Sequence, residues 1–453
     1  MTRAAQSAQE LRLRGIVAEK NVGICLRDNA ESLVLMLALW MLGATAVPMD
    51  FRANAAERNL LAKEFDLVAI VEDRLVPASG YELITIDPAW SDVIAKHDGT
   101  QPWTSEGRQA AAFISLTSGT TGRPKGIVIG HERMLLRSIL DAEEIEGPLL
   151  NPLPMSFSAS RTHAFAALLQ GSAVYFYPLL FSPQQLVDTL LAGEARSLCA
   201  VPTIIRNLFE LLGERSAPAF AKFEAIYCFG APMAPAEKIR AKTSLCANFV
   251  QIYGATICGR ISALSGADLD ARPDTLGRVL PHVLLQMVDD NDRVVPLGES
   301  GAIRLRSPGM ANSVYRGAAS GSGDSFKDGW AYPGDIGAFD EDGFLRLLGR
   351  SSDLIIRGGA NVHPSEVELV ISDCAGVQEV AVVGFTKLPE GEEIAAFVVG
   401  TDGLTEAALV AHCRVRLGTD KRPRKFVFVK DLPRNANGKI SRAELRQQLE
   451  AAT

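Results

Sequence analysis

Ser115–Gly126 reads S-L-T-S-G-T-T-G-R-P-K-G and follows the apolar run A-A-A-F-I, Ala110–Ile114. A buried strand that runs into small polar residues, glycines and a lysine has the make-up of a phosphate loop. Glycine lets the backbone turn sharply and approach a ligand closely, which Gly119 and Gly122 would provide. The hydroxyls of Thr117, Ser118, Thr120 and Thr121 and the N–H groups around them can donate to phosphate oxygens, and Lys125 adds charge. The Walker A pattern G-x-x-x-x-G-K-[ST] is not met. Pro124 separates Lys125 from Gly122–Arg123, and Gly126 follows where Ser or Thr belongs. The stretch therefore reads as a phosphate loop of another kind.

Outward from this loop, strand-like and helical segments alternate. V-G-I-C-L is a strand, E-S-L-V-L-M-L-A-L-W-M-L a helix, T-A-V-P-M a strand, A-A-E-R-N-L-L-A-K-E-F a helix and L-V-A-I-V-E a strand. That order predicts an α/β fold with parallel sheets covered by helices. Residues 276–349 change to short strands separated by D-D-N-D and G-E-S-G turns, a β-rich subdomain. V-L-L-Q-M-V-D, R-V-V-P-L-G-E and A-I-R-L-R are its expected strands. Residues 350–453 carry helices and strands of their own. The expected organisation is a large domain over 1–349 and a small α+β domain over 350–453.

Composition sets bounds on function. With 453 residues the chain has room for two or three domains, and 47% hydrophobic and 22% charged residues are ordinary for a soluble enzyme. A net charge of −7 argues against a general nucleic-acid binder. Seven scattered cysteines without a C-x-x-C pair fit reduced thiols and predict a cytoplasmic protein. The N-terminus has no apolar core of a secretory signal. Leu33–Met49 is apolar, yet Gly43 and Pro48 interrupt it, so a buried helix turning into a strand fits better than a membrane span.

Four further stretches carry chemistry. Q-I-Y-G-A-T, Gln251–Thr256, ends a strand; an aromatic and a glycine there suit stacking on a purine, or a core tyrosine at a tight turn. W-A-Y-P-G-D, Trp330–Asp335, places an aspartate where it can accept from two ribose hydroxyls, or where it only closes a turn. G-G-A-N-V-H-P-S-E-V-E, Gly358–Glu368, is a glycine turn before a helix capped at Ser365. L-P-R-N-A-N-G-K-I holds Lys439 after a glycine turn, and K-R-P-R-K, Lys421–Lys425, is a basic cluster; by themselves both read as solvated charge.

In this order the motifs closely resemble those of the acyl-adenylate-forming enzymes: acyl- and aryl-CoA ligases, peptide-synthetase adenylation domains and luciferases. The resemblance covers most of residues 20–446 and is closest in style to the acyl-CoA ligases through G-G-A-N-V-H-P. It implies a small mobile C-terminal domain and an active site that uses ATP, Mg2+ and coenzyme A. Thr117–Gly122 and Lys125 would hold the triphosphate. Tyr253 and Gly254 would face the adenine, Thr256 the phosphate, and Asp335 and Arg350 the ribose. Gly230, Ala231 and Pro232 would border the acyl and adenine sites. Gly358 and Gly359 would approach the pantetheine arm, the basic cluster the phosphates of coenzyme A, and Lys439 would be the adenylating lysine. His131 matches a histidine for which a structural role is expected.

This chain departs from the pattern at named positions. Ile257 stands where the magnesium-holding glutamate is expected, Pro333 replaces a threonine, and Ser352 sits at the hinge usually held by Asp or Lys. In F-S-A-S, Ser158 replaces the aspartate that binds a substrate ammonium, so the implied partner is a small carboxylic acid other than an α-amino acid. Arg161 and His163 read either as ligands for a second acid group or as helix-end residues, the latter favoured. Three functions stay open: an acid–CoA ligase, a stand-alone enzyme loading an acyl carrier protein in trans, and a nucleotide- or acyl-binding protein with weakened catalysis.

Overall fold

The computed structural model describes residues 1–74, 80–100, 110–117, 125–142, 145, 147–315, 325–387, 391–434 and 439–451. They form two compact units. The first comprises Met1–Phe229, Ala241–Ile261 and Arg306–Ala331; the second comprises Gly230–Arg240, Ser262–Leu305 and Tyr332–Thr453.

The first unit holds two sheets. One runs in the order Ser313–Val314, Lys125–Gly130, Ala111–Thr117, Thr45–Pro48, Asn21–Cys25, Leu67–Glu72, Glu82–Thr85. Its central pairs are parallel, and Ala111–Thr117 and Lys125–Gly130 form an antiparallel hairpin. The strands are near-continuous apolar runs because helices cover them: Val22, Ala46, Ala69 and Val71 are fully buried. The second sheet orders Phe249–Ala255, Ala225–Cys228, Ser197–Ala200, Leu149–Asn151 and Val174–Phe176, with parallel pairing. Helix starts follow local chemistry. Asp28 caps Asn29–Met41 by accepting from the N–H groups of Ala30 and Glu31, and Asn54 with Glu57 closes a capping box on Ala55–Glu64. As expected, the Leu33–Met49 run divides into this helix, Gly43 in the left-handed region and the strand Thr45–Pro48. No helix among the described residues is long and apolar enough to cross a membrane.

The second unit contains the antiparallel strands Gly301–Arg306, Asp335–Phe339 and Leu345–Arg350, with Leu284–Val288 paired to the first of them. The expected strand R-V-V-P-L-G-E does not form: only a single bridge joins Val288 to Val294. Asp289 takes the N–H groups of Asn291 and Arg293 into a turn, and Pro296 has no N–H to give a ladder. Further on, Val377–Lys387 pairs antiparallel with Gly391–Gly400, which pairs parallel with Lys425–Phe428. Side chains alternate across this sheet. Val382, Ala396 and Val398 pack with Val367, Ile371 and Leu409 on one face, and Val383, Ala395 and Phe397 with Leu445 and Leu449 on the other. Ser365 is not the helix cap it was expected to be. The helix begins at Pro364 with His363 before it, since proline suits the first turn, and the Ser365 hydroxyl donates instead to the Leu348 carbonyl.

Candidate active site

The hairpin strands end in two residues of the expected phosphate loop, Thr117 and Lys125. Thr117 pairs with Lys125 in register, and the Thr117 hydroxyl donates to the Lys125 carbonyl at 3.3 Å. The strand ends are thereby closed at the residues from which the loop departs. Ser118, Gly119, Thr120, Thr121 and Gly122 lie outside the described residues.

Tyr253 and Gly254 end the strand Phe249–Ala255, and a turn follows in which the Cys258 N–H donates to the Ala255 carbonyl at 3.0 Å. Tyr253 and Thr256 are partly exposed, while Ile257 is buried. The turn needs a glycine: a Cβ on Gly254 would lie 2.6 Å from the Gly259 carbonyl oxygen. Gly254→Ala is therefore expected to destabilise the first unit by roughly 1–3 kcal/mol, the usual cost of overpacking. A urea midpoint equal to wild type would refute this. Ile257 offers only hydrocarbon where the resemblance expects a magnesium ligand, and Mg2+ takes oxygen donors. This chain's residue does not fit a directly ligated ion there.

In the second unit three expected residues come together. Asp335 and Arg350 are cross-strand partners, with the Arg350 Nε 3.0 Å from the Asp335 carboxylate. Asp335 is buried and Arg350 half-exposed. Gly334, in the left-handed region, turns the chain into this strand. The Ser351 N–H donates to the Gly334 carbonyl at 3.0 Å. Lys439 is close enough to feel both charges. Burial lowers its ammonium pKa, Arg350 lowers it further, and Asp335 opposes them. Gly230 leads from the strand Ala225–Cys228 with a positive φ, and Gly230, Ala231 and Pro232 are at least partly exposed.

Gly358 and Gly359 form the exposed turn between Ile355–Arg357 and Ala360–Val362, both with positive φ. The basic cluster beside it is largely engaged internally. Lys421 pairs with Glu366 at 2.6 Å, Arg424 with Glu393 at 3.3 Å, and Arg422 donates to the Leu417 and Arg414 carbonyls. These contacts anchor the turn through Arg357, which donates to the Arg422 carbonyl at 2.9 Å and pairs with Glu393 at 2.7 Å.

Arg161 closes the first turn of the helix Ser158–Leu169, a helix-end position as expected, and His163 lies in the next turn; both are almost fully buried, because this helix is covered on more than one side. Arg161 donates to the Met155 and Ser156 carbonyls at 2.6 and 2.9 Å and to the Ser115 hydroxyl, and its guanidinium sits 4.8 Å from the Phe113 ring centre. The resemblance missed Arg137, on the helix His131–Ala142. Its Nε donates to the Gly309 carbonyl at 2.5 Å. Its two terminal nitrogens are buried with no hydrogen-bond partner among the described residues. Arg137, Arg161 and Ser158 line one cavity, with apolar walls from Phe113, Ile129 and Phe165. His131 opens the same helix and packs edge-on to Trp40, consistent with a structural role.

His163 is held neutral. Its Nδ1 hydrogen-bonds the Ala159 carbonyl at 2.8 Å, its ring stacks on Phe229 at 4.9 Å, and burial plus Arg260 pushes its pKa down to about 3. The unfolded chain, with an ordinary histidine near pH 6.5, therefore binds more protons between those values, and stability falls as pH drops through that window. From pH 7 to 5 this one group is expected to remove about 2 kcal/mol. Urea midpoints at both pH values should fall less in His163→Phe; an equal drop would refute the assignment.

The AMP-binding enzyme family matches residues 1–315, and the AMP-binding enzyme C-terminal domain matches residues 366–439. The long-chain-fatty-acid–CoA ligase FadD13 of Mycobacterium tuberculosis is 30% identical across 99% of this chain and 92% of its own length. The long-chain-fatty-acid–CoA ligase of Salmonella typhimurium is 31% identical across 74% of this chain, and that match spans 61% of the relative. ATP-bound MatB from Rhodopseudomonas palustris superposes with a TM-score of 0.90 at 27% identity, covering 100% of this chain and 93% of that one. The chain belongs to the AMP-binding enzyme family.

Proposed function

We propose that this protein activates a carboxylic acid with ATP and passes the acyl group to the thiol of coenzyme A. The observation that carries the reading is the meeting of the Asp335–Arg350 pair with Lys439, far along the chain from both, in the second unit. In the first half-reaction a carboxylate oxygen attacks the α-phosphorus of ATP, the bond to the bridging oxygen breaks, and pyrophosphate leaves. Lys439 would stabilise charge growing on that phosphorus, Asp335 and Arg350 would fix the ribose, Tyr253 and Gly254 the adenine, and Thr117 and Lys125 the triphosphate. In the second the coenzyme A thiol attacks the acyl carbonyl, the thiol proton is released, and AMP departs in place of a much poorer oxide leaving group. Gly358 and Gly359 would line the approach of the pantetheine arm.

The acid belongs in the cavity lined by Ser158, where the resemblance expects the substrate's substituent to be read. Serine there offers no charge for an ammonium, which supports an acid without an α-amino group. Residues 350–453 would be the small domain that rotates between half-reactions. Ser352, in the one-turn 3₁₀ segment Ser351–Asp353 after a strand, would be its pivot. Seven buried cysteines, none of them in a disulfide, support a cytoplasmic location.

The test is pyrophosphate release with ATP and magnesium over aliphatic, aromatic and dicarboxylic acids, with and without coenzyme A. Acid-dependent release that yields acyl-CoA supports the proposal. Release without use of coenzyme A would transfer the reading to a carrier protein loaded in trans. ATP binding without turnover of any acid would mark Ile257 as a lost metal site and sink the catalytic reading.

A further inference from the structure

The helix His131–Ala142 faces inward with its polar side. Arg137, Ser138 and Asp141 are buried, while Leu135 and Ile139 are 44% and 47% exposed. Such an orientation sets charge in the interior at the expense of apolar burial. Arg137 and Arg161 line the cavity, Asp141 acts on Arg137, and Arg260 lies 3.9 Å from Asp141, so these buried groups comprise three cations and one carboxylate. His163 beside them is neutral. Arg161 is satisfied by carbonyls and a hydroxyl. Arg137 has only the Gly309 carbonyl on Nε, and both terminal nitrogens are unpartnered among the described residues. Burial and Arg137 lower the Arg161 pKa to about 9, and burial lowers that of Arg137 to about 10, so both stay cationic at neutral pH.

A buried guanidinium with two unmet donors is costly unless an anion completes it. A guanidinium presents a fork that matches a carboxylate with two parallel hydrogen bonds. The first turn of the helix Ser158–Leu169 reaches the cavity through Ser158 and Arg161, and its free N–H end adds positive potential. Arg137 also lies beside Gly259, three residues after Thr256: its Cγ is 3.4 Å from where a Cβ there would be.

We propose that Arg137, with Arg161 behind it, binds a second carboxylate, so that the preferred substrates are dicarboxylic acids whose far carboxylate enters this cavity. The proposal rests on the acid-activation reading and names its substrate class. A monoacid of the same length would leave the Arg137 donors unmet, and sites built for a hydrogen-bonded group reject analogues that lack it.

The experiment compares kcat/KM for succinate, glutarate and adipate with butanoate, pentanoate and hexanoate. At least one dicarboxylate is expected to exceed its matched monoacid by tenfold or more, about the ratio that 1.4 kcal/mol gives. Arg137→Leu should bring that ratio to within roughly threefold, mainly through KM for the dicarboxylate, and Arg137→Lys should retain part of it. The ratio compares two acids on one variant, so a general loss of fold cannot imitate the result. Equal rates for matched acids in wild type, or a ratio unmoved in Arg137→Leu, would overturn the proposal. If no acid is activated, the ligase reading fails and thermal shift with the same acids decides this one separately. Stabilisation by a dicarboxylate alone, lost in Arg137→Leu, supports the site, and its absence refutes it.

Discussion

Lys439→Ala is expected to reduce acid-dependent pyrophosphate release by roughly 10²–10³-fold, the usual cost of removing one preorganised donor from developing negative charge. KM for ATP should change far less, because the lysine acts on charge that appears only in the transition state. The thioester-forming half should survive, since the proposed rotation takes Lys439 away before the thiol arrives. Acyl-CoA formed from a supplied acyl-adenylate and coenzyme A should therefore proceed at near wild-type rate. Loss of both halves together would mean that Lys439 holds the second unit rather than the phosphorus. The pH profile gives a further check. Burial and Arg350 lower the Lys439 pKa, so the alkaline limb of the first half-reaction should fall at a lower pH than an ordinary lysine, near 10.5, would give.

Asp335→Asn is expected to raise KM for ATP roughly 10–100-fold. A hydrogen bond to a charged group is typically worth about 1.5–3 kcal/mol, and the proposed ribose contact depends on the carboxylate. The same change removes the anion beside Arg350 and Lys439. With Asp335 neutral, Arg350 acts on Lys439 unopposed, and the Lys439 pKa should fall further. Asp335→Asn should thus move the alkaline limb to still lower pH, a shift that weaker ribose binding alone would not cause. A KM within threefold of wild type, accompanied by a lower Tm, would reduce Asp335 to a structural clasp for Arg350.

Much of the fold was legible in the sequence, and so were the turns that carry Asp335 and Gly254, because their signals are local. A β-strand ending in Ser/Thr/Gly, an aspartate after Pro-Gly and a lysine after glycine each announce a turn and a functional group together. The burial of the residues proposed for the acid was not legible, for a physical reason. In H-E-R-M-L-L-R-S-I-L-D-A, periodicity marks Arg133, Arg137 and Asp141 as one polar stripe, and a polar stripe ordinarily faces water. Here Arg137 and Asp141 are buried and Leu135 and Ile139 look outward. Nothing in the spacing reverses the helix; that follows from what packs on it. The burial of Arg161 and His163 is equally silent in the sequence, since a twelve-residue helix gives no sign of how much of it is covered. The R-V-V-P-L-G-E strand failed where one proline and one aspartate turn outweighed β-branched propensity.

The C-terminal sheet bears on how a domain can swing without loosening. Its middle strand, Gly391–Gly400, is hydrogen-bonded on both edges and contributes to a core on each face. Amides of Ile394–Val398 should then exchange with deuterium only through opening of the whole sheet, whereas those of Ser352 and Asp353 should exchange through local fluctuation. Such a contrast in protection describes a stiff lever on a soft pivot. The conformational entropy lost at each turnover would be confined to the few dihedrals of the pivot, with the two cores keeping their packing throughout.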